Sequence, residues 1–248
     1  MEQGRTLKDI QTVLKRKLAV QATHMPGSDT EVRFILPMVS NVTPPSAPFG
    51  ILLTRPELPL FSKEIAPHLN YLHHASGKHI DFFCAGYRKD WISEDDPYKD
   101  ARLVQEISQV GWMSEDWFYS DQAFVELIHD LESASKWKYN GGSVLLLLSS
   151  KLLASGELQI DFSQTIQVTL EDAIEEGAIK NVHRFIQRII KMAQENKRTW
   201  NMSDNLGFRS ISSSFLNELI ERDPTGVGKA TKKASYFASH DYSINESQ

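Results

Sequence analysis

The sequence predicts a mixed α/β fold, a sheet of about four to five strands flanked by helices. Three observations carry this. Apolar residues recur at helical spacing in several segments, as in Leu7, Ile10, Leu14 and Leu18. Residues 157–168 alternate, with Leu158, Ile160, Phe162, Ile166 and Val168 against Glu157, Gln159, Asp161, Ser163, Thr165 and Gln167; only Gln164 breaks the period. Residues 144–148 form a continuous apolar run, the mark of a strand buried on both faces. A small doubly wound sheet is the alternative architecture.

The first helix ends before Pro26-Gly27. Residues 31–39 are β-compatible, and Pro44, Pro45 and Pro48 then make a stiff connection. The sequence divides into residues 1–48, an N-terminal helical arm with a strand and this Pro-rich connection; residues 49–200, an α/β core; and residues 201–248, a last helix and a flexible tail. Ile51, Leu52 and Leu53 read as a buried strand. Ile65, Leu69 and Leu72 share a helix face, with Ser62 as a cap, Pro67 as an awkward interior residue and Gly77 as a stop. Residues 79–87 read as a second strand.

Residues 90–121 read as an insertion, with a short helix at Leu103, Val104 and Ile107. Nine acids against two bases give it a charge of −7, which leaves about +2 elsewhere in a chain of net charge −5. Beyond it, Ser120 caps a helix with the stripe Phe124, Leu127, Ile128 and Leu131. Thr169 and Asp172 have capping-box spacing. A helix interrupted at Gly177 resumes through Val182, Phe185, Ile186, Ile189 and Ile190.

From Phe49 the order is strand, helix, strand, insertion, helix, strand, strand, helix. That order resembles a thioredoxin-like fold over roughly residues 49–197, with 90–121 inserted. The family's paired cysteines do not carry over: their place holds Pro59, Leu60, Phe61 and Ser62. Dithiol exchange needs two thiols, so the resemblance implies a scaffold and no redox activity.

Composition bounds the function further. At 248 residues, 41% apolar and 24% charged, the chain has material for one large core. Nucleic-acid binders leave a basic footprint, which a net charge of −5 lacks, so a nucleic-acid partner is disfavoured. Cys84 is the only cysteine, which excludes an internal disulfide and multi-cysteine zinc, and argues for a reducing, cytoplasmic location. No apolar stretch approaches the about 20 residues of a membrane helix, and the N-terminus lacks a signal-peptide pattern.

Candidate chemistry is sparse. His73, His74, His79 and Asp81 are the densest set of potential metal ligands; His79 and Asp81 share a strand face, while His73 and His74 diverge on a helix. They define one alternative, a metal-assisted hydrolase, possibly a nuclease, that uses His79, Asp81 and His73 or His74 with a divalent metal as cofactor; Cys84 is a separate catalytic candidate. Cys84 falls on the apolar face of its strand, away from His79. The 225–231 string departs from a phosphate loop: Asp223 stands where a glycine is needed, and Ala230 follows Lys229.

The insertion is the most distinctive feature. Tryptophan and tyrosine beside acids are favoured where surfaces meet partners, and acids steer basic partners. The expectation is therefore a non-enzymatic interaction or accessory subunit of a multi-protein assembly, without cofactor. Its partner is another protein or a second copy. Contacts are expected from Trp91, Trp112, Trp117 and Tyr119, with charge from Asp95, Asp96, Glu115 and Asp116. A thioredoxin-like module that lost its thiols and binds peptides is the other alternative.

Overall fold

A computed structural model describes residues 2–4, 6–23, 46–77, 79–89, 98–106, 116–153, 155–195 and 235–244. Its elements are β1 (Glu2–Gly4), α1 (Leu7–Thr23), β2 (Ser46–Leu53), α2 (Leu69–Ala75), β3 (Asp81–Ala85), β4 (Tyr87–Lys89), β5 (Arg102–Gln105), β6 (Trp117–Tyr119), α3 (Asp121–Ala134), β7 (Val144–Leu152), β8 (Leu158–Thr169), α4 (Leu170–Glu175), α5 (Val182–Glu195) and β9 (Ser239–His240).

Six strands make a mixed sheet in the order β1-β3-β2-β7-β8-β9. β1 and β2 both run parallel to β3, while β2–β7, β7–β8 and β8–β9 are antiparallel. The mixed α/β class expected from sequence is the one observed. The strands beyond the expected number are short, three residues in β1 and two in β9. Such pieces are too short to show a period. Every residue of β3, and Phe49 through Leu53 of β2, is buried, as central strands covered on both faces must be.

Helices α1 and α3 pack together, and so do α2 and α5. Ile10, Leu14 and Leu18 are fully buried, so the segment grouped by sequence with an N-terminal arm shares the sheet and core of the main body. The start of α1 is held twice. Thr6 and Asp9 exchange side chain–backbone hydrogen bonds of 3.2 and 3.1 Å, an Asp version of the capping box. The Leu7 N–H also donates to Asp130 of α3 at 3.0 Å.

Several local expectations change. The helix around Pro67 is irregular: a π-type turn over Phe61–Ile65 and a 3₁₀ turn over Ala66–His68 precede α2, because proline lacks the N–H a regular helix needs. Ser62 donates to the Pro59 carbonyl and caps nothing. The strand expected over 79–87 divides at Gly86, whose φ of 76° turns the chain out of the main sheet. Beyond it β4, β6 and β5 form a second, three-stranded antiparallel sheet in that order. Leu103 and Val104, expected in a helix, lie in β5. Thr169 occupies the N-cap position of α4 without a side-chain bond.

The Gln164 exception has a structural cause. Leu147 pairs with Ile166 and Ser149 with Asp161, so four residues of β8 bulge opposite Leu148. The 235–244 segment, read from sequence as part of a tail, covers this place. Phe237 is buried, Ser239 and His240 pair with β8, and the Tyr242 N–H donates to the Phe162 carbonyl at 2.9 Å. Residues 31–39, Trp91, Asp95, Asp96, Trp112, Glu115 and the 225–231 string lie outside the described residues. Among the described residues no helix is long and apolar enough to cross a membrane.

Candidate functional site at the carboxyl end of the second strand

The carboxyl end of β2 is where the chain leaves the sheet with polar side chains. Thr54, fully buried, places its hydroxyl 2.9 Å from that of Ser143, also buried, just before β7. Leu53 pairs with Val144, so this contact continues the ladder by one side-chain bond. The Ser143 N–H donates to both carboxylate oxygens of Glu171, at 3.0 and 2.9 Å, and the Tyr139 hydroxyl donates to the Gly142 carbonyl at 2.7 Å. Loop 139–143 is thereby fixed against β2.

Arg55 follows. It is half-buried, and its guanidinium lies 5.0 Å from the centre of the Phe124 ring. Phe124 is set by the start of α3. The Ser120 side chain accepts from the Ala123 N–H at 3.0 Å and donates to Asp100 at 2.6 Å. The Gln122 N–H donates to the other Asp100 oxygen at 2.9 Å. Burial works against the Asp100 anion, but these hydrogen bonds outweigh it and hold the carboxyl below its ordinary value.

Aromatic rings continue from Phe124 in both directions. Tyr139 meets it edge-on at 5.7 Å and Tyr119 lies at 6.0 Å; Tyr87 lies 4.8 Å from Tyr119, and Phe61 stacks on Tyr87 at 5.1 Å. These contacts fasten the second sheet to the core. Burial pushes the Tyr87, Tyr119 and Tyr139 phenols up, so all three stay protonated at neutral pH. A second arginine, Arg102 of β5, reaches over the Tyr119 ring at 5.5 Å. It contacts Glu57 and lies 3.5 Å from Asp121.

The two arginines differ in their partners. Arg102 is half exposed and has two carboxylates. Arg55 is deeper, and its Nε is closed to solvent without a hydrogen-bond partner among the described residues. The arrangement holds a cation in place above an aromatic ring and keeps the surrounding hydroxyls neutral.

The residues singled out from sequence are dispersed. Asp81, nearly buried, forms an ion pair with Lys17 of α1. His73 lies edge-on to Trp117 at 5.6 Å and to His74 at 5.2 Å, and His79 is half-buried just ahead of β3. Among the described residues, no group of three His, Cys, Asp or Glu side chains could hold a metal ion. Cys84 is fully buried, and burial pushes its thiol far up, which opposes the thiolate a nucleophile needs. Trp117 and Tyr119, expected as contact residues, are buried on the inner face of the second sheet, so they support a surface and do not form it; Asp116 beside them is half-buried.

Sequence reading passed over Arg55, Glu57, Arg102 and Tyr139. One signal was present: Arg55-Pro56 directly follows a strand that leaves a mixed sheet at its carboxyl end, where α/β folds gather ligands. No family model, no curated protein and no solved structure matches this chain.

Proposed function

We propose that the protein is a non-enzymatic binding module, an accessory subunit of a multi-protein assembly in the cytoplasm. The observation that carries this reading is the second sheet. The described part of the insertion supplies β5 and β6, which join β4 in an ordered three-stranded sheet fastened to the core by Phe61–Tyr87 and Tyr119–Phe124 ring contacts. An insertion anchored in this way adds surface beyond what the main sheet needs to close its own core. Its connecting segments carry Asp95, Asp96 and Glu115 with Trp91 and Trp112, which suits a basic partner protein or a basic face of a second copy.

The scaffold reading is thioredoxin-like. In support of it, two parallel neighbours flank β3, two antiparallel strands follow β2, and the helices associate as α1 with α3 and α2 with α5. Scaffold alone names no activity. The single thiol lies inside β3, away from the carboxyl end of β2, which favours binding over dithiol exchange.

The test is affinity purification of the full chain from its native cells at low and moderate salt, beside the triple variant D95N/D96N/E115Q. Recovery of one partner in fixed ratio, weakened by the variant and by salt, is the expected result. Recovery of monomer alone from both proteins would overturn the reading.

A further inference from the structure

We propose that Arg55 is the cation of an oxyanion-binding site, taking a phosphate or carboxylate group in the plane of its guanidinium above the Phe124 ring. This goes beyond the binding-module reading and concerns a different surface from the acidic insertion.

A guanidinium carries five N–H donors in a planar fork, and one that is withdrawn from water ordinarily meets a carboxylate. The Arg55 Nε is closed to solvent, yet it has no hydrogen-bond partner among the described residues. Its guanidinium lies against the face of Phe124, at 5.0 Å. Stacking occupies the face of a guanidinium; with Nε closed to solvent, the end of the fork, the two Nη groups, is the edge open to a bidentate acceptor.

The nearby carboxylates are engaged elsewhere. Glu57, two residues along, contacts Arg102, and Asp121 lies 3.5 Å from that same side chain. Both Glu171 oxygens accept from the Ser143 N–H, and both Asp100 oxygens accept bonds at the start of α3. The hydroxyls are engaged as well: Tyr119 donates to Asp121 at 3.2 Å and Tyr139 to Gly142. So Glu57, the acid nearest Arg55 in sequence, neutralises a different arginine together with Asp121.

The position is also held rigid. Thr54, immediately before Arg55, is bonded to Ser143, and Phe124 is fixed by the capped start of α3. A fork preset on a stacked ring loses little freedom on meeting an anion, so recognition here favours planar, two-oxygen acceptors over chloride.

The experiment is a titration of the full chain, followed by the NMR signals of arginine Nε–H groups at fixed ionic strength with chloride as the balancing salt. The probes are inorganic phosphate, phosphoserine and succinate. A saturable shift of the signal that disappears in Arg55→Gln is expected from at least one probe. The order of affinities separates phosphate from carboxylate as the preferred source. Arg55→Lys keeps the charge and loses the fork, so it should bind roughly tenfold more weakly; it also decides the matter if Arg55→Gln fails to fold. Arg102→Gln frees Glu57 and Asp121 to compete for Arg55 and should bind more weakly than the parent. Shifts that stay linear for all three probes, or saturation that survives both Arg55 variants, would overturn the proposal. The titration needs no partner protein, so its failure and the failure of the binding-module reading are separate results.

Discussion

The Thr54 and Ser143 hydroxyls lie 2.9 Å apart with both residues closed to solvent, joining the end of β2 to the beginning of β7. Replacing one of them leaves the other as a buried polar group without a partner, a loss of about 1–3 kcal/mol. Thr54→Val and Ser143→Ala should therefore each lower stability by about that amount. The double variant leaves no orphan and should cost less than the two single losses together. Urea unfolding of the four proteins checks the coupling; strict additivity would refute it.

The Lys17–Asp81 pair predicts an asymmetry. Asp81 is nearly buried on β3, while the Lys17 side chain is 28% exposed on α1. Removing the lysine strands a buried carboxylate, whereas removing the acid leaves an ammonium that can turn toward water. Lys17→Met should lower stability by about 3 kcal/mol and Asp81→Asn by only about 1 kcal/mol. Equal losses in denaturant midpoints would show that Asp81 is better solvated than the geometry implies.

Two glycines test the strand exchange at Gly86. Gly86 and Gly156 have nearly the same φ, 76° and 78°. A Cβ at Gly86 would stand 2.8 Å from the Ser120 carbonyl oxygen and 3.0 Å from Phe124, whereas at Gly156 nothing lies within 4 Å. Gly156→Ala should cost only the left-handed backbone penalty, about 1 kcal/mol. Gly86→Ala should lose about 1–3 kcal/mol more, from forcing apart β4 and α3. Similar losses at the two sites would mean that the junction yields freely.

These same places mark how far the sequence was legible. The helix stripes, the Ser120 cap and the β8 alternation are local patterns, and each matches an observed element. Even the Gln164 break corresponds to the β8 bulge. Leu103-Val104 was ambiguous because two adjacent apolar residues fit either period; pairing with β6, more than ten residues on, decided for a strand. Phe237, in the short run Tyr236-Phe237-Ala238, showed no period, yet its ring lies tilted 5.6 Å from Phe185 and it is buried. Arg55 was illegible for a deeper reason. An arginine after a strand is ordinary in sequence, and only the assembled structure shows that Glu57, two residues on, pairs with Arg102.

Cys84 should behave as a core residue. It is fully buried in the middle of β3, and burial raises its thiol far above the ordinary range. Native protein at pH 8 should react with a thiol reagent only as fast as the fold opens, and denatured protein at the rate of a free thiol. Fast modification of the native state would show that β3 is accessible from one face.

Acid should loosen the contact between α5 and the irregular helical segment. The His68 and His183 rings stack at 4.0 Å and 11°, with Tyr71 edge-on to His183 at 5.0 Å and the Tyr71 hydroxyl accepting from Gln187 at 2.8 Å. Burial lowers the His183 pKa first, and the charges of His68 and Arg184 lower it further; Glu64 opposes them only in part. The folded state thus prefers neutral His183, while the unfolded chain takes up its proton near the ordinary value of about 6.5. More protons bound in the unfolded state means that stability rises with pH across the window below about 6.5 and is level above it. The urea midpoint should fall between pH 7.5 and pH 5.5. The fall should be smaller in His183→Gln, which keeps a polar side chain and cannot titrate. An equal fall in parent and variant would place the acid sensitivity elsewhere in the chain.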